Sequence, residues 1–221
     1  MRLCAHAPIR YSSCVPVHLV SHPVAQDALV TLRDAQTPPI EFRRAARRIS
    51  TIVLTEALRD VPIERTTVQT PLEPAEGAVV AGDVVIVPVL RAGLGMVDAA
   101  LDLVPSARVG HLGLKRDETT AVASRYYAHL PERIGDSFVL LIDPMLATGG
   151  SAVASLDLLT AAGARQLRLA CIVAAPEGIA AIEARHPGVH IYTPAVDRAL
   201  NDRKFILPGL GDFGDRLYGT V

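Results

Sequence analysis

The chain has 221 residues, 50% of them hydrophobic and 20% charged, with a formal net charge of −1. That length and balance fit one large globular domain, or one with a small appendage, and leave room for a substantial core. They exclude a basic field able to hold nucleic acid by its phosphates, and no apolar run reaches membrane-spanning length, so neither nucleic acid nor a membrane is expected as a partner.

Residues 1–17 carry Pro8, Pro16 and mixed polarity without a sustained apolar segment, which predicts a loosely ordered extension and no signal peptide. Cys4, Cys14 and Cys171 are odd in number and lack a CxxC, so reduced thiols in a cytosolic protein are expected, with neither disulfides nor zinc. Residues 38–60 predict a helix: Pro stands at its start, and Phe42, Ala45, Ala46, Ile49, Val53 and Ala57 recur at helical spacing. Arg43, Arg44, Arg47 and Arg48 fall on its other side, as a solvated face or as a subunit or anion contact. Residues 63–70 alternate as a strand, and 84–89 (VVIVPV) read as a buried parallel strand.

A helix over 92–103 and a short strand over 109–114 follow, and then the polar stretch 115–131, long enough for a functional loop or exposed hairpin. From there the pattern is regular. It gives a strand (138–143), a loop, a helix (151–162) stopped by Gly163, a strand (167–173), a helix (176–185) and a strand (189–193). Alternating β and α predicts an α/β fold, a central parallel sheet flanked by helices with right-handed crossovers. Aromatics are 4% of the chain and Trp is absent, so Ala, Val, Leu and Ile must fill that core. The Gly- and Asp-rich tail from 201 is expected near the active face.

The segment VLLIDPMLATGGS, 139–151, joins a buried strand to a helix. In open α/β sheets ligands bind beyond the carboxyl ends of the strands. Thr148, Gly149, Gly150 and Ser151 would stand at the helix N-terminus, where unpaired N–H groups and partial positive charge suit phosphate. Asp143 ends the strand in the same cleft; like charge keeps it from the phosphate and suits it to sugar hydroxyls or a cationic centre. There is no GxxxxGK[ST], and Gly93-Leu94-Gly95 lacks the remainder of a dinucleotide fingerprint. Arg91, after the buried strand 84–89 and before Ala92, Gly93 and Gly95, offers a charge-assisted fork that could hold a pyrophosphate opposite that cradle, or could pair with a core carboxylate.

Residues 139–151 resemble the PRPP-binding motif of type I phosphoribosyltransferases, and DPMLATGGS resembles the uracil phosphoribosyltransferase branch, with Pro144 where many relatives carry a second acid. VPVLRAGLGM (87–96), PGLGDFGDR (208–216), HPV…LRD (22–34), LKRDETT (114–120) and VAAPEGI (173–179) agree, and the likeness spans about 18–221, which would be the phosphoribosyltransferase domain. The resemblance implies a type I fold with a hood built from both chain ends, and transfer of the phosphoribosyl group of PRPP to uracil, giving UMP and diphosphate. Arg91 and Arg116 would hold the diphosphate together with Mg²⁺ carried mainly by PRPP. Asp143 would serve the ribose and its developing positive charge, and Pro144, Met145, Leu146, Ala147, Thr148, Gly149, Gly150 and Ser151 would cradle the 5′-phosphate.

Uracil would be read by main-chain groups at Ile206, Gly211, Asp212 and Phe213, and Asp212 would also approach PRPP and its magnesium. A homodimer or larger homo-oligomer and a GTP effector are implied by the family, not by these residues. The chain departs from the usual pattern at Arg198 and Ala199 (commonly Glu-Gly), Phe205 (often Tyr), Phe213 (often Ala), Thr55 (often Tyr) and Ala123-Ser124, which lack a common proline. These changes leave the PRPP half intact and bear on the base. They admit a second reading, a PRPP- or UMP-binding regulator or an inactive homologue with the same fold.

Overall fold

A computed structural model describes residues 16–116 and 123–220. The expected extension therefore lies outside the described residues, except for its last two positions. In chain order the elements are β1 (Val17–Leu19), α1 (Pro23–Arg33), α2 (Pro39–Ala57), β2 (Ile63–Gln69), β3 (Pro74–Val80), β4 (Val84–Leu90) and α3 (Leu94–Leu103). Next come β5 (Arg108–Val109), β6 (His111–Arg116), β7 (Ala123–His129), β8 (Phe138–Ile142), β9 (Met145–Leu146) and α4 (Gly150–Ala161). The remainder is β10 (Gln166–Ala170), β11 (Val173–Ala174), α5 (Pro176–Arg185), β12 (His190–Thr193), β13 (Ala199–Leu200), β14 (Ile206–Leu207) and α6 (Phe213–Tyr218).

The sheet runs β1-β12-β10-β8-β4-β6-β7, with β5 beside β4. Every pairing in it is parallel except that of β6 with β7. Side chains alternate along a strand, so β4 feeds two cores. Val84 and Ile86 pack with α1, α2 and α3, while Val85, Val87 and Val89 pack with α4 and α5. Burial on both faces explains why β4 and β8 read as unbroken apolar runs. Pro176 opens α5 at the position expected, and Gly163, at φ +97°, follows the end of α4. Residues 115–131 form the exposed hairpin alternative, β6 with β7, around residues 117–122, which are not described.

Several elements lie beyond the sequence reading, among them β3, α1 and α6. The strand expected over 63–70 pairs with β3 as an antiparallel hairpin apart from the main sheet; Pro74 and Gly77 give β3 a weak strand signature. α1 has a legible signal: His22 caps it through Nδ1 (3.1 Å to the Val24 N–H), Pro23 opens it, and Ala25, Ala28, Leu29 and Leu32 bury one stripe. α6 is a short helix within the Gly-rich tail, capped by Asp212.

The two chain ends do meet above the sheet. Arg33 of α1 forks onto Asp197 (2.7 and 2.8 Å) and donates to the Gly209 carbonyl (2.8 Å), while the Gly209 N–H returns to Asp197 (2.8 Å). Arg216 of α6 donates to the carbonyls of Leu32 and Leu210 and lies 4.5 Å over the Phe42 ring. Asp197 is buried, so its pairing with a planar guanidinium satisfies a charge that would otherwise be costly there. Among the described residues no helix is long and apolar enough to cross a membrane. Cys171 is free and buried, and burial pushes its thiol up to about 12, which makes it inert.

Candidate active site

The carboxyl ends of β4 and β8 are neighbours, and the loops that leave them fold against each other. Gly93, in the loop after β4, sits so close to the strand ends that a Cβ there would lie 2.6 Å from the Ile142 carbonyl and 2.7 Å from Val89. The Leu90–Arg91 peptide in this loop is cis. The sequence-predicted Arg91 and Asp143 loops are thus brought side by side.

The segment 143–151 divides into a support and a cradle. Pro144 has no N–H, and its carbonyl accepts from Ile172 (2.9 Å) and Val173 (3.0 Å). The Leu146 carbonyl accepts from Ala175 (2.8 Å), and β9 pairs with β11. Pro144, Met145 and Leu146 therefore brace the turn, and the groups free to meet an anion come from the Thr148–Ser151 end. There Gly149 takes φ +79°, and α4 opens without a side-chain cap. Its first-turn N–H groups have no intrahelical acceptor and point out of the helix end. The Thr148 hydroxyl lies 3.5 Å from the Gly150 N–H.

The two glycines of this turn are there for different reasons. A Cβ on Gly149 would lie 2.7 Å from the Ala181 Cβ and 2.9 Å from the Gly178 carbonyl, so its absence lets α4 and α5 pack. A Cβ on Gly150 would meet nothing nearer than the Thr148 hydroxyl at 3.7 Å, so the space beside it is open. Gly178, which the sequence reading passed over, backs the cradle: a Cβ there would lie 2.6 Å from the Ala147 carbonyl.

Asp143 borders the cleft formed by the cradle, a small space of about 140 Å³. Burial pushes its carboxyl up to about 7, against the opposing effect of the Met145 N–H it accepts. Near neutrality this carboxyl is thus poised between its two forms.

Arg91 pairs with a carboxylate, as its structural alternative foresaw, but the partner is not in the core. Its Nη2 lies 2.9 Å from Asp215 Oδ1 of α6, with the two side chains 58% and 34% exposed, and its guanidinium stands 6.0 Å from the Tyr218 ring. Arg116 ends β6, its backbone opposite Ala123; its side chain lies outside the described residues.

A second cleft of about 370 Å³ adjoins the cradle, sharing Met145 and Ala147 with it. Ile206, Gly211, Asp212 and Phe213, the residues expected to read the base, all border it, together with Ala92 and Gly214. Gly209 and Gly211 have φ of +58° and +80°, which gives the tail its sharp bend. The sequence reading placed the Phe213 side chain beside the base. The structure corrects this: Phe213 is 1% exposed, and its ring packs edge-to-face on Phe42 with centroids 5.2 Å apart, so the side chain lies in the core. A roomier cleft of about 650 Å³ lies by His18, His190 and Tyr192, away from the glycine cradle and the Arg91 loop.

Among the described residues no group of three or more His, Cys, Asp and Glu could cage a metal ion. Asp212 is exposed at the rim, where a single carboxylate suits a magnesium ion that keeps its waters and arrives on phosphates.

Comparison with known proteins adds three findings. A family model described as uracil phosphoribosyltransferase matches residues 19–220. Proteins named uracil phosphoribosyltransferase are similar over 92% of this chain: that of Dictyoglomus thermophilum is 49% identical with 99% of its own length covered, and that of Geobacillus kaustophilus is 46% identical with 98% covered. The solved structure of the AQ2163 protein from Aquifex aeolicus superposes with a TM-score of 0.87 at 37% identity, covering 91% of this chain and 97% of that one.

Proposed function

The chain belongs to the uracil phosphoribosyltransferase family, and on that premise we propose that the loops at the ends of β4 and β8 hold PRPP while the tail holds uracil. The fold is that of the type I phosphoribosyltransferases. The enzyme transfers the 5-phosphoribosyl group of PRPP to uracil, giving UMP and diphosphate. The observation that carries the site assignment is the uncapped, glycine-opened start of α4 with Asp143 and the Arg91 loop beside it.

In this reading the first-turn amides of α4 and the Thr148 and Ser151 hydroxyls receive the 5′-phosphate. Arg91 and Arg116 take the diphosphate, whose departure breaks the C1–O bond and leaves positive charge on the ribose. Asp143 stabilises that charge from the buried side, where a fixed carboxylate acts more strongly than in water. The new C1–N1 bond forms from the tail side, and the uracil N1 proton leaves to diphosphate or water. Asp212 would reach the water shell of a magnesium ion carried by PRPP, and that ion would supply screening of the diphosphate charge. A cytosolic location, homo-oligomer formation and a GTP effector belong to the same proposal and rest on the family alone.

Purified protein given uracil, PRPP and Mg²⁺ should form UMP. PRPP binding with no UMP formed would leave the regulator reading in its place.

Asp143→Asn tests the carboxylate separately. We expect a fall in kcat larger than any change in the KM for PRPP, because the charge it answers appears only in the transition state. The pH behaviour follows from the raised carboxyl. In the wild type, kcat/KM for PRPP should climb through about pH 7, where Asp143 ionises in the free enzyme, and level off above it. The linkage runs the other way for stability. A carboxyl whose folded value is raised keeps its proton where the unfolded chain has lost it, so it loses stability as pH rises from about 4 to about 7. Asp143→Asn should therefore be more thermostable than wild type at neutral pH, with the gap closing near pH 4. Wild-type kcat in the variant would remove Asp143 from the reaction.

A further inference from the structure

Asp215 is an acid that the sequence reading gave no role. It stands in the middle of α6, and its backbone is fixed from both sides: its N–H donates to Asp212 Oδ1 (2.9 Å), and its carbonyl accepts from Gly219 (2.8 Å) and Thr220 (3.0 Å). Its carboxylate is fixed as well, because the Thr220 hydroxyl donates to Oδ1 at 2.7 Å. That same oxygen receives Arg91 Nη2 at 2.9 Å. The Thr220 hydrogen bond, and after it the Arg91 guanidinium, hold this carboxyl below the usual carboxylate range, so it is ionised wherever the enzyme works.

An ion pair this exposed adds little to stability, because water and salt screen it. What it does supply is a fixed direction. Arg91 is a long side chain on a surface loop, and without a partner it would sample many rotamers. Asp215 and the Tyr218 ring, three residues apart on α6, give it a defined place. The first residues of the same short helix, Phe213 and Gly214, border the base cleft. One rigid turn thus carries a wall of the base site at its start and the anchor of the diphosphate arginine in its middle.

We propose that Asp215 is a positioning residue for phosphoribosyl transfer, holding the Arg91 guanidinium at the angle from which it meets the diphosphate. The proposal rests on the reading of Arg91 as a diphosphate ligand, and it extends that reading by naming what aims the arginine. Asp215 touches neither substrate; it acts through Arg91.

The test is a double-mutant cycle read by calorimetry of PRPP with Mg²⁺, alongside steady-state kinetics. Asp215→Ala should raise the Kd for PRPP roughly three- to tenfold, the scale for freeing one long side chain that must be re-ordered on binding. The KM for uracil and the melting temperature should stay near wild type, because the backbone bonds of α6 do not involve the carboxylate. Asp215→Asn keeps an acceptor oxygen for both partners and should recover most of the affinity. In an Arg91→Ala background, Asp215→Ala should add nothing further. An Asp215→Ala enzyme that binds PRPP as well as wild type, or more tightly, would overturn the proposal. So would a loss of affinity that persists in the Arg91→Ala background, since it would then act through the fold. If Arg91→Ala itself binds PRPP normally, the diphosphate reading beneath the proposal fails with it.

Discussion

Gly150→Val is expected to abolish measurable PRPP binding while the protein folds and melts as wild type. The structure separates this position from its neighbour. A Cβ at Gly150 meets no atom nearer than 3.7 Å, and its φ is not left-handed, so the backbone accepts a side chain there. The space that the valine would fill is the approach to the first-turn amides of α4, which is where the 5′-phosphate is proposed to sit. Hydrogen bonds to a charged group contribute roughly 1.5–3 kcal/mol each, so losing two of them weakens binding about a hundredfold or more.

Gly149→Val would not give this answer. Gly149 sits at φ +79° with the Ala181 Cβ and the Gly178 backbone against it, so valine there should break the α4–α5 contact and lower stability together with binding. The two variants, measured by calorimetry and thermal melting, thus divide the motif into a binding glycine and a packing glycine. A Gly150→Val protein that melts normally and binds PRPP normally would place the phosphate elsewhere.

That division shows where sequence reasoning reaches and where it stops. The run VLLIDPMLATGGS announces a strand, a turn and a helix, because a strand buried on both faces must be apolar and a helix start beside phosphate must be small and uncapped. α5 is legible for the same kind of local reason: Pro176 opens it and the chain turns before Pro187. What the sequence cannot separate is two adjacent glycines, one facing Ala181 and the other facing open space, because that depends on a helix some thirty residues further along the chain. Arg91–Asp215 is hidden for the same reason: the partners are 124 positions apart and either could be a solvated surface charge. The Phe213 side chain was misplaced because its neighbours in sequence are glycines and acids of the base loop, whereas its neighbour in space is Phe42 of α2. Local patterns name the elements, and long-range packing decides which way each side chain turns.

Uracil should be accepted and cytosine rejected, and Phe213→Ala should leave that preference in place while weakening the fold. The cleft proposed for the base is bordered by Gly211, Asp212 and Phe213. In α6 the Arg216 N–H takes the Asp212 carbonyl (3.1 Å) and the Asp215 N–H takes the Asp212 side chain (2.9 Å). The N–H groups of Phe213 and Gly214, at the start of the same helix, come before Arg216, whose N–H is the first with a helical acceptor, and in the proposed site they are the donors that would face a base carbonyl. Against uracil O4 such a donor finds an acceptor; against the cytosine amino group it finds another donor. Leaving a buried polar group unpaired costs about 1–3 kcal/mol, so two reversed contacts give discrimination on the order of a hundredfold or more.

The Phe213 ring has no part in this, because it lies in the core against Phe42 and beside Gly95. Its truncation to alanine should cost about 3–5 kcal/mol of stability through the cavity it leaves, so the variant is best assayed well below its lowered melting temperature. Phe213→Leu, a smaller loss of volume, keeps the test open should the alanine variant not fold. Competition between uracil and cytosine for limiting PRPP reads the preference directly in all three proteins. Equal use of cytosine by the wild type, or a preference reversed by Phe213→Ala, would mean that side chains and not the backbone of the tail select the base.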